Sequence, residues 1–364
     1  MKKRILVAPL NWGLGHATRC IPIINALIEH GFEPILASDG AALKLLEKEY
    51  PELLSIALPA YDVTYAKKGA FFKLKLFKDS PRLLKAIQQE HKATNAIVQT
   101  YNIAGIVSDN RLGVYSKTVP SAFITHQLNV LSGATTWLST KIHNQFIRKF
   151  DACWVPDYAG DCNLSGVLGH PDAFKIPTTY LGPLSRFNKK HEDKKYDLLV
   201  LLSGPEPQRS ILESKLLKDL QSFRGKVIFV RGIISEKQSK EVIDNIIIHN
   251  YMTSELLETA MNQSTMVLSR SGYTTIMDLA KLGKKAFFIP TPGQSEQEYL
   301  AKTLSLKHLA PSCKQNEFEI SMLEEAHKYK GLFFEETDLN YGLLFQAFSR
   351  VKENSLPTPY SLST

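Results

Sequence analysis

Two hydrophobic rhythms alternate along the chain. Short apolar runs at residues 4–8, 34–38, 103–107, 121–125, 152–156, 197–202, 227–231, 246–249, 266–268 and 286–289 read as strands, largely buried on both faces as in a parallel sheet. Between them, apolar positions recur at helical spacing. The pattern predicts helices from the 11–16 loop to about residue 30, over 81–100, up to 150, over 255–261 and 273–282, and over 340–352. Strand and helix in alternation predict an α/β protein built on doubly wound sheets.

The densest pattern lies at residues 266–299. An apolar strand runs into the turn Ser269-Arg270-Ser271-Gly272. A helix follows with Ile276, Leu279 and Ala280 on one face and Gly283 at its end, and then a second strand closed by Pro290 and a polar loop. Unpaired N–H groups and the helix dipole make the start of such a helix a diphosphate site, with Arg270, Ser271, Gly272, Tyr273 and Thr274 around it. Asp278, about a turn into the helix, suits a ribose diol. Gln297 and Glu298, just past the second strand, suit sugar hydroxyls. Taken singly, a Ser-Gly turn more often just ends a strand, and Asp278 reads equally as a solvated helix residue. Their order together favours a nucleotide.

That order resembles glycosyltransferase family 28, of the GT-B superfamily. The family carries Arg-Ser-Gly, a helix with an acidic ribose ligand, a proline loop and a Gln-Gln pair. Here Arg270-Ser271-Gly272, Asp278, Pro290 and Gln297-Glu298 stand in those places. Glu298 departs from the pair, and Ala301 stands where an Asn often follows, so the donor sugar stays open. The resemblance implies two Rossmann-like domains facing across a cleft. An acceptor-binding domain would span residues 1–182, a hinge 183–195 and a donor-binding domain 196–339, with the 340–352 helix crossing back onto the first domain. It further implies that Arg186 in the hinge and the Ser203-Gly204 loop reach the donor diphosphate, and that Tyr251 and Met252 lie against the uracil ring. Gly15-His16 matches the end of the family's N-terminal glycine loop. His126 and Asn129 match the ends of its His-Glu-Gln-Asn signature, with Gln127 replacing the glutamate.

His16 and Asp109 are the candidate bases. A neutral imidazole at a helix N-terminus can take the proton of an attacking hydroxyl, and Asp109 lies in the polar loop after the 103–107 strand, where crevice residues gather. Gly13 and Gly15 with Thr18 form an incomplete dinucleotide fingerprint, and Asp39 sits where such a site keeps its acid; this NAD reading is the weaker one. The expected reaction moves a sugar, N-acetylglucosamine or another hexose, from a UDP-sugar to an acceptor hydroxyl. Inversion is expected, with neither metal nor cofactor. A UDP-sugar 2-epimerase using Asp109 and Asp39, and a non-catalytic nucleotide-sugar-binding subunit, are the alternatives.

At 364 residues and 44% hydrophobic, the chain has room for two cores. Its four cysteines show no C-x-x-C spacing, so neither a zinc site nor a disulfide framework is indicated, and a cytoplasmic location is expected. The basic, then apolar N-terminus is too short for a signal peptide, and no segment approaches the roughly 20 apolar residues of a membrane span. Of the net charge of +8, most is concentrated at residues 67–85, where Phe71, Phe72 and Phe77 are interleaved with lysines. Such a stretch is able to lie on the inner face of a membrane and hints at a lipid-linked acceptor, while a solvated helix is the plainer reading. No nucleic-acid motif is present.

Overall fold

The computed structural model describes residues 2–61, 72–130, 136–171, 174–233, 235, 237–333 and 339–349. Two sheets organise the chain. The first has seven strands, β1 (Arg4–Pro9), β2 (Glu33–Ser38), β3 (Ser55–Ala57), β4 (Ile103–Asp109), β5 (Ser121–Ile124), β6 (Ala152–Val155) and β7 (Thr178–Tyr180), paired in parallel in the order β3-β2-β1-β4-β5-β6-β7. The second has six, β8 (Tyr196–Leu201), β9 (Val227–Val230), β10 (Lys240–Ile243), β11 (Ile246–His249), β12 (Ser264–Ser269) and β13 (Lys285–Phe288), in the order β10-β11-β9-β8-β12-β13. There β10 and β11 form an antiparallel hairpin at the edge, and the other strands pair in parallel.

Helices α1 (Gly15–Glu29), α2 (Gly40–Glu49), α3 (Phe72–Thr100) and α4 (Thr136–Ile147) accompany the first sheet. Helices α5 (Gln208–Asp219), α6 (Ser254–Asn262), α7 (Tyr273–Leu282) and α8 (Ser295–Leu306) accompany the second. The central strands carry the uninterrupted apolar runs: Ile5, Leu6, Val7 and Ala8 of β1 and Leu198, Leu199 and Val200 of β8 are completely buried. The hairpin strand β10 is exposed along its length, and its two apolar residues, Val242 and Ile243, are too short a run to read as a strand.

Chain order places the functional surface. After β1 the chain winds outward through β2 and β3, then returns to β4 on the other side of β1. After β8 it winds through β9 and β11, then returns to β12 on the other side of β8. Each reversal opens a crevice at the carboxyl ends of two neighbouring strands, where ligands bind in doubly wound sheets. Register aligns the first crevice: Pro9 pairs with Asp109, and Leu10 N–H donates to Asp109 O at 2.9 Å.

The chain then crosses back. Helix α9 (Tyr341–Phe345) and a 3₁₀ turn (Gln346–Ser349) bring Phe345 and Phe348 edge-on to Phe32 and beside Trp154 of the first domain. Gly105 leaves room for the Phe348 ring, which a Cβ would meet at 2.3 Å. The regular α-helix expected over 340–352 is thus short, and residues beyond 349 lie outside the described ones. Residues 67–71 of the basic stretch also lie outside them, and α3 begins at Phe72, well before Pro81. A further correction concerns the loop after β13, which gives way to α8 at Ser295 and so places Gln297 and Glu298 in a helical first turn. Among the described residues, no helix is long and apolar enough to cross a membrane.

Candidate active site

His16, the second residue of α1, sits at the mouth of the first crevice. Its Nδ1 lies 2.8 Å from Asp109 Oδ1. Arg19 is three residues further along the same helix face and donates from Nε to Asp109 Oδ2 at 2.5 Å and from Nη2 to Oδ1. Burial alone would raise the Asp109 carboxyl, but the Arg19 guanidinium and His16 outweigh it and hold it near 2. An ionised carboxylate is an acceptor only, so the His16 proton sits on Nδ1, although Arg19 Nη2 is also 2.9 Å away. The Nε2 lone pair is left for a substrate. Burial and then Arg19 push the His16 pKa down against the pull of Asp109, so the ring is neutral near pH 7.

Asp109 is therefore not a free base. It is completely buried with both oxygens engaged, and its place is behind His16. Asp39 is equally occupied: Arg111 donates to it at 2.6 Å and Asn11 at 3.0 Å, while Arg111 also binds Glu90 at 2.5 Å. Neither acid is available to hold the adenosine ribose of a dinucleotide or to serve an epimerase.

The opposite wall is the N-terminus of α7. Gly272 is its N-cap, with no side-chain cap and no atom within 4 Å of where a Cβ would stand, so the first-turn N–H groups face open space. The two crevices meet here. A Cβ on Gly15 would lie 2.5 Å from Thr274 Oγ1, so glycine at 15 is what lets α1 and α7 approach end to end. Tyr273 stacks on His126 at 4.0 Å between centroids and donates its hydroxyl proton to Pro156 O at 2.8 Å.

Other candidate donor residues fall into two groups. Asp278 faces the hinge, where Ser185 donates to its Oδ1 at 2.6 Å, and burial raises its pKa to about 6 against the pull of Ser185 and Arg186. Arg186 is close by, and its buried Nε finds no partner among the described residues. Ser203 and Gly204 form an exposed loop after β8, with Gly204 at φ +105° beside Thr291; Tyr251 and Met252 are half-buried after β11. Asp278 and Arg186 thus meet at the hinge, and the other four follow the carboxyl ends of β8 and β11.

The second group has its side chains committed elsewhere. Arg270 points into the domain, donating to the carbonyls of Ile289, Pro290 and Gln208 and to Gln315 Oε1; it buttresses the turn and does not reach the cleft. The Ser271 hydroxyl donates to Gln297 O at 2.8 Å. Gln297 accepts from Thr291 N–H and Glu298 from Gly293 N–H, so both side chains fasten the loop leading into α8. Asn129 ties its own loop to Val167 O at 2.6 Å.

Glu296 is the residue that sequence reasoning missed. It reaches across the cleft, with Oε1 2.8 Å from His126 Nε2 and Oε2 accepting from Gln127. Arg19 was missed as well; its spacing from His16 on one helix face was the available signal.

Comparison with known proteins agrees with this geometry. Residues 208–332 match the profile of the glycosyltransferase family 28 C-terminal domain. The matched segment runs from α5 past β13 and α8, and it includes the α7 crevice. A relative from Clostridium tetani, a UDP-N-acetylglucosamine–N-acetylmuramyl-(pentapeptide) pyrophosphoryl-undecaprenol N-acetylglucosamine transferase, is 25% identical over 94% of this chain and 90% of its own. Among solved structures, the glycosyltransferase of kitacinnamycin superposes with a TM-score of 0.62 at 13% identity, over 89% of each chain. Acinetobacter baumannii MurG superposes with a TM-score of 0.54 at 13% identity, covering 91% of this chain and 93% of that one. The fold is GT-B, and family and fold together place the chain among the glycosyltransferases.

Proposed function

We propose that the protein transfers a sugar from a UDP-sugar to an acceptor hydroxyl, with His16 as the general base. The observation that carries this reading is the His16–Asp109 pair, which leaves a neutral Nε2 at the cleft opposite the uncapped N-terminus of α7. The acceptor hydroxyl gives its proton to Nε2 as its oxygen forms the bond to the anomeric carbon, and the bond from that carbon to UDP breaks. Attack from the His16 side on a donor held against α7 inverts the anomeric centre. Asp109 stabilises the imidazolium formed, as a buried carboxylate does for a catalytic histidine.

On this reading α7, the Ser203-Gly204 loop and Arg186 receive the charge of the leaving diphosphate in place of a divalent ion. Asp278 binds the ribose diol, exchanging Ser185 for the sugar. The relative's printed name supports UDP-N-acetylglucosamine as donor and a lipid-linked acceptor. A membrane-facing surface on the first domain has support beyond the 67–85 stretch. Leu84 of α3 and Trp137 and Ile142 of α4 are exposed, and the two helices are neighbours through Leu83 and Phe146. Lys141 lies 5.0 Å over the Trp137 ring, an amphipathic pairing suited to an interface.

The test is a thermal-shift titration with UDP, ADP, GDP and NAD, followed by transfer assays with UDP-N-acetylglucosamine and a lipid-linked acceptor, with and without EDTA. Ligand at 100 times its Kd adds about 2.7 kcal/mol of stability, so binding is visible. A shift with UDP and EDTA-resistant transfer support the proposal. A shift with NAD instead sinks it.

A further inference from the structure

One hydrogen-bonded chain joins the two walls of the cleft. Arg19 Nη1 lies 3.3 Å from His126 Nδ1, and a guanidinium only donates, so Nδ1 is the acceptor and the His126 proton sits on Nε2. That proton faces Glu296 Oε1 at 2.8 Å. Arg19 donates from Nε and Nη2 to Asp109, and Asp109 accepts from His16 Nδ1. Read from the far end, the chain runs from Glu296 through His126, Arg19 and Asp109 to His16, and it ends on the lone pair that faces the substrate.

Four members belong to the first domain, and Glu296 belongs to the second. Glu296 lies in the first turn of α8, directly before Gln297, whose side chain and carbonyl hold the loop after β13 and the α7 turn. Its second oxygen is held by Gln127, and Tyr273 covers the His126 ring. The carboxylate is thus steered onto Nε2 from the donor side. If the cleft opens, Glu296 leaves with α8, and the His126 ring loses the acceptor that holds its Nε2 proton.

We propose that Glu296 is a positioning residue for the His16 base: on closure its carboxylate fixes His126, which orients Arg19 and through it the Asp109–His16 pair. The base is then complete in the closed cleft and incomplete in the open one, which couples donor loading to acceptor activation. This rests on the reading of His16 as the base.

Two measurements on wild type, Glu296→Gln, Glu296→Ala, His126→Ala and the double alanine variant test it. In transfer assays, Glu296→Gln is expected to lower kcat about 10-fold or more while the donor KM stays within about two-fold and the UDP thermal shift is retained. The double variant should be no slower than His126→Ala, because both break the same chain. Wild-type kcat in Glu296→Gln, or additive losses in the double variant, overturns the proposal.

The second measurement needs no turnover. Nitrogen-15 spectra of histidine-labelled protein with UDP should show His16 protonated on Nδ1 and His126 on Nε2, and Glu296→Ala should move His16 toward a mixture of tautomers. A His16 signal unchanged by Glu296→Ala overturns the proposal. Failure of the wild type to transfer from any UDP-sugar counts against the proposed function instead.

Discussion

The wall of the cleft that holds His16 and the wall that begins at Gly272 differ in how their parts are gathered. The second is one continuous passage of chain: β12, the turn, α7 and β13 follow one another between Ser264 and Phe288. What it offers a ligand is mostly backbone, the N–H groups of a helix that no side chain caps. The first wall is assembled from positions 16, 19, 109 and 126, and its working part is a set of buried charges. Backbone sites are local and tolerate side-chain change. Charge networks are dispersed, and each member is costly to remove because its partners stay buried.

The largest expected effect therefore falls on the dispersed wall. His16→Ala should cut transfer by about 1,000-fold, as loss of a general base does, while the UDP thermal shift remains. A shift lost together with activity would mean that the two walls are not separable. The acid limb of kcat should follow the same ring. The base must be neutral, and burial with Arg19 holds its pKa below the usual 6.5, so activity should persist below that pH and fall only as His16 protonates. A limb centred above 6.5 would show that Asp109 outweighs burial.

Arg270 tests the contiguous wall by its scaffold. Replacing it with alanine leaves buried carbonyls at Ile289 and Pro290 without their donor, and unfolding measurements should show a loss of about 3 kcal/mol. Loss of UDP binding with unchanged stability would instead return Arg270 to the ligand.

Asp278 should give a smaller, pH-dependent effect. The folded protein keeps its proton up to about 6, whereas the unfolded chain releases it near 3.8. Between those values the folded state binds more protons, so this group's contribution to stability declines as pH rises. UDP affinity should move the other way, strengthening through pH 6 as the carboxylate ionises. Asp278→Asn should flatten both trends in paired melting and titration series. The smallest change belongs to Glu298→Ala. This exposed residue braces Gly293, and its loss should alter donor KM less than about two-fold and stability by no more than about 0.5 kcal/mol.

Legibility followed the same division. The apolar runs marked the central strands of both sheets, and the helical spacing of Ile276, Leu279 and Ala280 with the Gly283 stop described α7 to the residue. The hairpin strand β10 and helix α8 were not readable, the first because it is exposed and the second because it opens on Ser295-Glu296-Gln297-Glu298 after a Pro-Gly loop. His16 and Asp109 stood out as chemically suitable, but their division of labour did not. Nothing in the spacing of 16 and 109 says that Arg19 takes both carboxylate oxygens, which on the proposed reading leaves His16 as the group facing substrate. Conversely, Arg270 sits in a motif that points to phosphate, while its long side chain turns inward to carbonyls 19 and 20 residues on.

The sequence by itself determined the central elements, their α/β alternation and the glycine turn that opens α7, because burial periodicity and a glycine-initiated helix are properties of neighbouring residues. The tertiary structure decided which polar side chains act and which merely support. A carboxylate or guanidinium chooses its partners across tens or hundreds of positions, and that choice depends on the register of β1 against β4 and on the approach of α8 to His126. Only the folded chain sets either.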